Sequence, residues 1–123
     1  MLSPLTAGEK VHELGLATDI LDVALAEAAR NNATKITTIY LRIGVVRAVE
    51  PEHLFFMFEL LSKDTLAQGA NLSIEEVPVQ VECALCGVTE STALVWECPK
   101  CKGIEITHKG GDTLDIVSID IET

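Results

Sequence analysis

The chain has 123 residues and a formal net charge of −10, from 19 acidic and nine basic residues. This length is that of one ordinary domain, which can bury a hydrophobic core of its own. The negative charge repels phosphate backbones, so nucleic acid is not an expected partner. The apolar runs are far shorter than the roughly 20 residues that span a bilayer, and the first ten residues lack the features of a secretory signal. A soluble, cytoplasmic protein without a membrane partner is therefore predicted.

The first half of the chain alternates between helical and extended patterns. Apolar residues recur at steps of three and four from residue 12 to about 30, which predicts an amphipathic helix that Asn31 and Asn32 end. The predicted apolar stripe consists of Leu14, Ala17, Leu21, Ala24, Leu25 and Ala28. Residues 35–44, KITTIYLRIG, are rich in β-branched and aromatic side chains and predict a strand. A second helix is predicted to begin at Pro51 and to close near Gly69.

Two further extended segments flank the region that contains the cysteines. In residues 71–83, NLSIEEVPVQVEC, the apolar positions change phase, which predicts one strand with a bulge near Glu75 or Glu76. Pro78 is expected where the ladder needs no donor. A last strand is predicted where apolar residues alternate with polar ones, at Val117, Ile119 and Ile121. The predicted fold class is α+β, with two helices packed on a small three-stranded sheet and an inserted four-cysteine zinc ribbon.

The strongest signal in the sequence is a pair of Cys-X2-Cys motifs, formed by Cys83, Cys86, Cys98 and Cys101. A two-residue gap lets both sulfurs of a pair bind one ion, and two such pairs supply the tetrahedral thiolate set of structural zinc. Iron of the rubredoxin kind and thiol redox chemistry are alternatives that the pattern favours less. Because four protein thiolates leave no open ligand position, the motifs indicate a structural metal and not a hydrolytic one.

Residues near the second motif are expected to support it. Lys100, Lys102 and Lys109 would offset the charge of about −2 that four thiolates leave on a divalent ion. Trp96 is predicted to be a packing residue of this small module.

Outside the cysteines, the sequence contains no catalytic motif and no phosphate-binding loop, so no enzymatic activity is predicted. His53 is interpreted as a helix-surface histidine and His108 as a polar turn residue. His12 and Glu13 stand at the start of the first helix. Composition alone favours a structural pair there, with Glu13 stabilising the helix dipole, over a metal site.

Several motifs in combination resemble the HypA/HybF family of hydrogenase-maturation nickel chaperones. They are Val11-His12-Glu13-Leu14 at the start of a helix, the α-β-α-β order, and Cys83-X2-Cys86 followed by Cys98-Pro-X-Cys101. The resemblance covers residues 11–123. It implies structural zinc in the cysteine module, and nickel carried as cargo for nickel–iron hydrogenase and, in some members, urease.

The same resemblance implies a nickel site at the start of the first helix. It makes His12 the side-chain ligand, with the main-chain nitrogens of His12 and Glu13 in or near the site and the Glu13 carboxylate tuning it. Divalent nickel accepts such planar nitrogen sets. Family members also use the free α-amine of their first residue, whereas here ten residues precede Val11. If Val11 is the true N-terminus, its nitrogen joins the site.

Residues 1–10 are accordingly interpreted as an extension, arising from a misassigned start or added for expression. The alternative is a natural extension with a weakened nickel site. The expected organisation is a nickel-binding α+β domain at residues 11–81 and 107–123 and a zinc-ribbon domain at residues 82–106.

The partners that the resemblance implies are a HypB-like maturation GTPase and a hydrogenase large-subunit precursor. The expected oligomeric state is a monomer or weak homodimer. Two functions of other classes remain as alternatives: a zinc-ribbon adaptor for protein partners that transfers no nickel, and a rubredoxin-like iron electron carrier.

Overall fold

The elements of the chain are taken from a computed structural model, which describes residues 3–4 and 13–123. They are β1 (Ser3–Pro4), α1 (Glu13–Arg30), β2 (Lys35–Gly44), a 3-10 turn (Val45–Arg47), α2 (Pro51–Leu61), β3 (Asn71–Val77), β4 (Val79–Cys83), β5 (Gly87–Ser91), β6 (Ile106–Lys109) and β7 (Leu114–Glu122). Within the described ranges, neither helix is both long and apolar enough to cross a membrane.

The first of two sheets has the strand order β1-β7-β2-β3. Strand β2 pairs in parallel with β3, and α2 forms the crossover between them, as parallel neighbours require. On its other side β2 pairs antiparallel with β7. These three strands confirm the predicted sheet, and Ser3–Pro4 adds a two-residue edge strand next to β7.

Both helices bury apolar side chains in one core with this sheet. The fully or almost fully buried residues of that core come from α1 (Leu16, Ala17, Ile20, Leu21, Ala24, Ala28), from α2 (Leu54, Phe58) and from the strands (Ile36, Ile39, Leu41, Ile43, Leu114, Ile116). The two-helix, one-sheet fold class predicted from the sequence is therefore confirmed. Leu14, which the predicted helical stripe included, is exposed.

Helix α1 ends at the two asparagines, as predicted. Asn32 has a positive φ of 54°, and the N–H of Ala33 donates to the carbonyl of Ala28 at 3.0 Å. This pattern is a Schellman cap, which an asparagine can form because it tolerates the left-handed conformation.

Helix α2 is shorter than the sequence predicted, because it ends at Leu61 and not near Gly69. The Ser62 hydroxyl donates to the Glu59 carbonyl, and the Thr65 hydroxyl donates to the Ser62 carbonyl. Short polar side chains that bond to nearby carbonyls compete with helical hydrogen bonds. The chain therefore continues to Gly69 as a series of turns.

The prediction of one bulged strand over residues 71–83 is wrong. Strand β3 pairs with β2 without a register shift from Asn71 to Val77. Strand β4 then begins at Val79 in the other sheet. The change of apolar phase marks this passage between two sheets, and Pro78, which has no N–H to donate, lies at the crossing.

The bulges lie instead in the pairing of β2 with β7. Tyr40 pairs with Ser118 and Leu41 pairs with Ile116, so Val117 is an extra residue. A bulge changes which residues face the core. Leu114 and Ile116 are buried before it, and Ile119 and Ile121 pack against the core after it, so the predicted Val117 does not share their face.

The second sheet has the order β5-β4-β6. Gly111, in the connection from β6 to β7, lies against Gly44 of β2 and against Val79 of β4. The N–H of Val46 donates to the Gly111 carbonyl at 2.9 Å, and that of Gly44 donates to the Thr113 carbonyl at 2.7 Å. A methyl group on Gly44 would overlap the Gly111 carbonyl and would lie 2.8 Å from the Asp112 nitrogen. Gly44 is therefore required by close backbone approach.

Gly44→Ala should destabilise the protein by about 1–3 kcal/mol, the usual cost of overpacking, since both clashing groups belong to rigid backbone. Gly15→Ala is the matched control, because that glycine lies in α1 with open space around it. The control should gain up to about 1 kcal/mol from the higher helix propensity of alanine. Urea unfolding followed by circular dichroism compares the two, and equal midpoints for Gly44→Ala and the unaltered chain would contradict the prediction.

Candidate metal sites

The four cysteines lie in two short turns of the second sheet. Cys83 ends the central strand β4, where it pairs with Gly87 of β5 and with Ile106 of β6. Gly87 has a positive φ of 80° and closes the turn that contains Cys86. In the second turn the Cys98 N–H donates to the Gly103 carbonyl at 2.8 Å, and the Lys102 N–H donates to the Cys98 carbonyl at 2.9 Å. Both turns present their cysteines at the same end of the sheet.

The sulfur atoms of all four cysteines lie within 4.8 Å of one another. The Cys83 and Cys101 sulfurs are 3.7 Å apart. Two sulfurs bound to one zinc ion at about 2.3 Å with tetrahedral angles would be roughly 3.8 Å apart. The cluster therefore fits a tetrahedral thiolate site, and the predicted four-cysteine metal site is confirmed.

The pKa values of Cys98 and Cys86 are shifted in opposite directions, by different causes. The main-chain N–H groups of Cys101 and Lys100 lower the pKa of the Cys98 thiol to about 6. The neighbouring Cys101 sulfur, together with desolvation, raises the pKa of Cys86 to about 12. Four thiolates thus repel one another without a cation, and a divalent ion at their centre removes this repulsion.

Main-chain N–H groups donate to two of the four cysteine sulfurs and so compensate part of their charge. The Lys100 N–H donates to the Cys98 sulfur and the Gly103 N–H to the Cys101 sulfur, each at 3.4 Å. The ammonium group of Lys102, which was expected to offset the thiolates, lies 3.9 Å from the Glu97 carboxylate.

Trp96 and His108 contact each other beside the second cysteine turn. Their rings meet edge to face with centroids 5.4 Å apart, and His108 Nε2 lies 2.6 Å from the Val95 carbonyl oxygen. His108 belongs to strand β6, so its prediction as a turn residue is wrong. Trp96 packs against this ring but is 74% exposed, so it is not a buried residue of the module.

The second predicted metal site, at the start of α1, is described in part. Val11 and His12 lie outside the described residues. Glu13 is the first residue of α1 and has a largely shielded side chain. Its Oε1 lies 3.9 Å from Nδ1 of His53, in the first turn of α2. His53 is exposed, as the sequence predicted, but its approach to Glu13 was not predicted, because helical periodicity does not show which turns of two helices meet.

The cysteine cluster is the only group of three or more His, Cys, Asp or Glu ligands gathered closely enough for one ion within residues 13–123. The fold and this site define a class: an α+β protein with two helices on one sheet and a separate four-cysteine metal ribbon.

Comparison with known proteins identifies the family. Residues 11–121 match the family described as HypA, hydrogenase/urease nickel incorporation, metallochaperone. Hydrogenase maturation factor HypA of Albidiferax ferrireducens is 34% identical over 91% of this chain and its own whole length. HypA of Chlorobium limicola is 38% identical over 91% of this chain and 97% of its own.

Solved structures share the fold. The solution structure of the Ni metallochaperone HypA from Helicobacter pylori matches with a TM-score of 0.59 and 24% identity, over 90% of this chain and 97% of that chain. The chain belongs to the HypA family. It is accordingly a nickel metallochaperone of hydrogenase maturation and not an enzyme, as the sequence predicted.

Cys98→Ala should abolish metal binding by the ribbon, because a buried ligand is lost from a set with no spare donor. Structural zinc contributes on the order of 10 kcal/mol to such modules, so the ribbon should unfold. The helical core contains none of the cysteines and should remain folded. Elemental analysis and amide hydrogen exchange measure the two effects.

Leu85→Ala is the matched control, since this residue lies between Cys83 and Cys86 and is 88% exposed. It should keep one metal ion per chain. A full complement of metal in Cys98→Ala would contradict the four-cysteine assignment.

Proposed function

We propose that this chain binds Ni(II) at the start of α1 and holds zinc permanently in the cysteine ribbon. The nickel ligands are the His12 imidazole and the main-chain nitrogens of His12 and Glu13, with the Glu13 carboxylate tuning the site. The observation that carries the proposal is the family match, which begins at residue 11 and so includes the Val11-His12-Glu13 segment.

The chemistry of the two donor sets supports this division. Four thiolates form a closed, soft set that suits zinc, and the alternative occupant of the same set is iron. An imidazole with main-chain nitrogens forms a set of the kind that divalent nickel accepts in planar geometry. Elemental analysis of the purified protein distinguishes zinc from iron in the ribbon.

The family match supports the remaining elements of the proposal. The proposed partners are a HypB-like GTPase and a hydrogenase large-subunit precursor, in the cytoplasm, with urease maturation as a second destination. The division into a nickel-binding domain at residues 11–81 and 107–123 and a zinc-ribbon domain at residues 82–106 stays a prediction. The ribbon strands β4 and β6 extend to Val79 and Lys109.

His12→Ala should remove most nickel binding and leave the zinc content and thermal melt nearly unchanged. His12 precedes the first buried residue of α1, Leu16, and so lies before the part of the helix that packs in the core. Titration calorimetry with Ni(II), alongside elemental analysis and a circular dichroism melt, makes the comparison. Equal nickel affinity in the variant and the unaltered chain would contradict the proposed site.

A chain that begins at residue 11 should bind Ni(II) more tightly than the 123-residue chain, because its free α-amine adds a nitrogen ligand. The N-acetylated short chain is the matched control and should lose this gain. Acidification should weaken binding, since the imidazole must stay deprotonated and has a reference pKa of ~6.5. Identical affinities for the free and acetylated short chains would show that the amine is not a ligand.

A further inference from the structure

The first turns of the two helices meet beside the proposed nickel site. Helix α1 packs against α2, and Glu13 and His53 are the residues that approach each other at their starts. Their closest side-chain atoms, Glu13 Oε1 and His53 Nδ1, are 3.9 Å apart. Glu13 is the residue that follows His12 in the chain. The imidazole of His53 is thus held near the segment that is proposed to bind nickel.

The separation of these two atoms suits a shared ion better than a direct bond. A hydrogen bond between nitrogen and oxygen has a length of about 2.7–3.2 Å, so 3.9 Å is too long for one. Donors that bind one divalent first-row ion at about 2.1 Å each can lie up to roughly 4.2 Å apart. The two atoms are a few tenths of an ångström short of that separation, so a small side-chain rotation would let both donors reach one ion while the helices stay in place.

The contact contributes little to folding. The His53 side chain is 72% exposed, and exposed ion pairs of this kind stabilise proteins by about 0–1 kcal/mol at most. An exposed imidazole with an accessible ring nitrogen is at the same time a common metal ligand. The position of His53 is thus better explained by binding an ion than by stabilising the helices.

We infer that His53, in the first turn of α2, is a further ligand of the nickel that the protein carries. It would bind the ion from the opposite side of the contact between α1 and α2. The inference rests on the proposed function, in which nickel binds at His12 and Glu13. Divalent nickel accepts imidazole nitrogen as a donor, and the inference extends the tuning role of the Glu13 carboxylate to direct binding through its oxygen. With His53, the site includes one donor that only the folded arrangement of α1 and α2 brings close.

The experiment compares the unaltered 123-residue chain with His53→Ala, His53→Gln and His12→Ala, using Ni(II) alone as the probe. Titration calorimetry gives the affinity, and X-ray absorption at the nickel edge counts bound imidazoles. His53→Ala should weaken nickel binding at least about 10-fold, because loss of a direct ligand should cost no less than loss of a group that only hydrogen-bonds to a ligand, which costs about 10- to 100-fold. It should also reduce the imidazole count by one, and His53→Gln should not restore that imidazole.

Glu59→Ala is the matched control, since it removes an exposed side chain further along the same helix. It should leave both affinity and imidazole count unchanged. Zinc content and the thermal melt should be the same in all variants, because His53 and Glu59 belong neither to the helical core nor to the cysteine cluster and His12 precedes the first buried residue of α1 in the sequence.

The outcomes separate the two proposals. Loss of nickel in His12→Ala with an unchanged affinity in His53→Ala would overturn the role of His53 and leave the proposed function intact. A weaker affinity with an unchanged imidazole count would overturn the assignment of His53 as a ligand. Nickel binding that persists in His12→Ala, or its absence from the unaltered chain, would overturn the proposed function itself.

Discussion

The pairing of β2 with β7 is the constraint from which the arrangement of this molecule follows. It joins residues 35–43 to residues 114–122, so the chain that leaves the first sheet after β3 must return to it at β7. The return is made through backbone contact, with the Gly111 carbonyl bound to the Val46 N–H and set against Gly44. Side chains larger than hydrogen do not fit there. The ribbon is consequently attached to the sheet at a fixed point while its own buried residues, Val79, Val81 and Cys98, stay outside the helical core.

This separation gives the two metals different relations to folding. The cysteine sulfurs come from turns far apart in sequence and are gathered only when β4, β5 and β6 are paired. The free energy of metal binding there is therefore also free energy of folding. The proposed nickel ligands at residues 12 and 13 are consecutive, so most of that chelate can form whether or not the chain is folded. The ligands at residues 12 and 13 therefore add little stability, and only a donor that folding brings close, such as His53, would couple nickel binding to folding.

The sequence correctly predicted those features that depend on residues close to one another in the chain. The β-branched run that forms β2, the asparagine stop after α1 and the four-cysteine cluster were all predicted, because each rests on short-range propensity or fixed spacing. The errors have tertiary causes. Val117 lies in a bulge that only pairing with β2 creates, and the segment around Pro78 passes between sheets although its composition is that of one strand. The approach of His53 to Glu13 depends on helix packing, for which a single sequence carries no direct signal.

The contact between α1 and α2 also bears on how the protein can release its nickel. A linear chelate has an affinity set by its own ligands, and a partner can change it only by competing for the ion. With His53 as a ligand, part of the affinity depends on the distance between two helices, which their buried contacts through Leu16, Ile20, Leu54 and Phe58 hold fixed. A shift of α2 relative to α1 by a few tenths of an ångström would strain the metal bond while leaving the core packed. A partner that binds one helix could therefore lower nickel affinity without touching the ion, because it needs only to favour the separated arrangement.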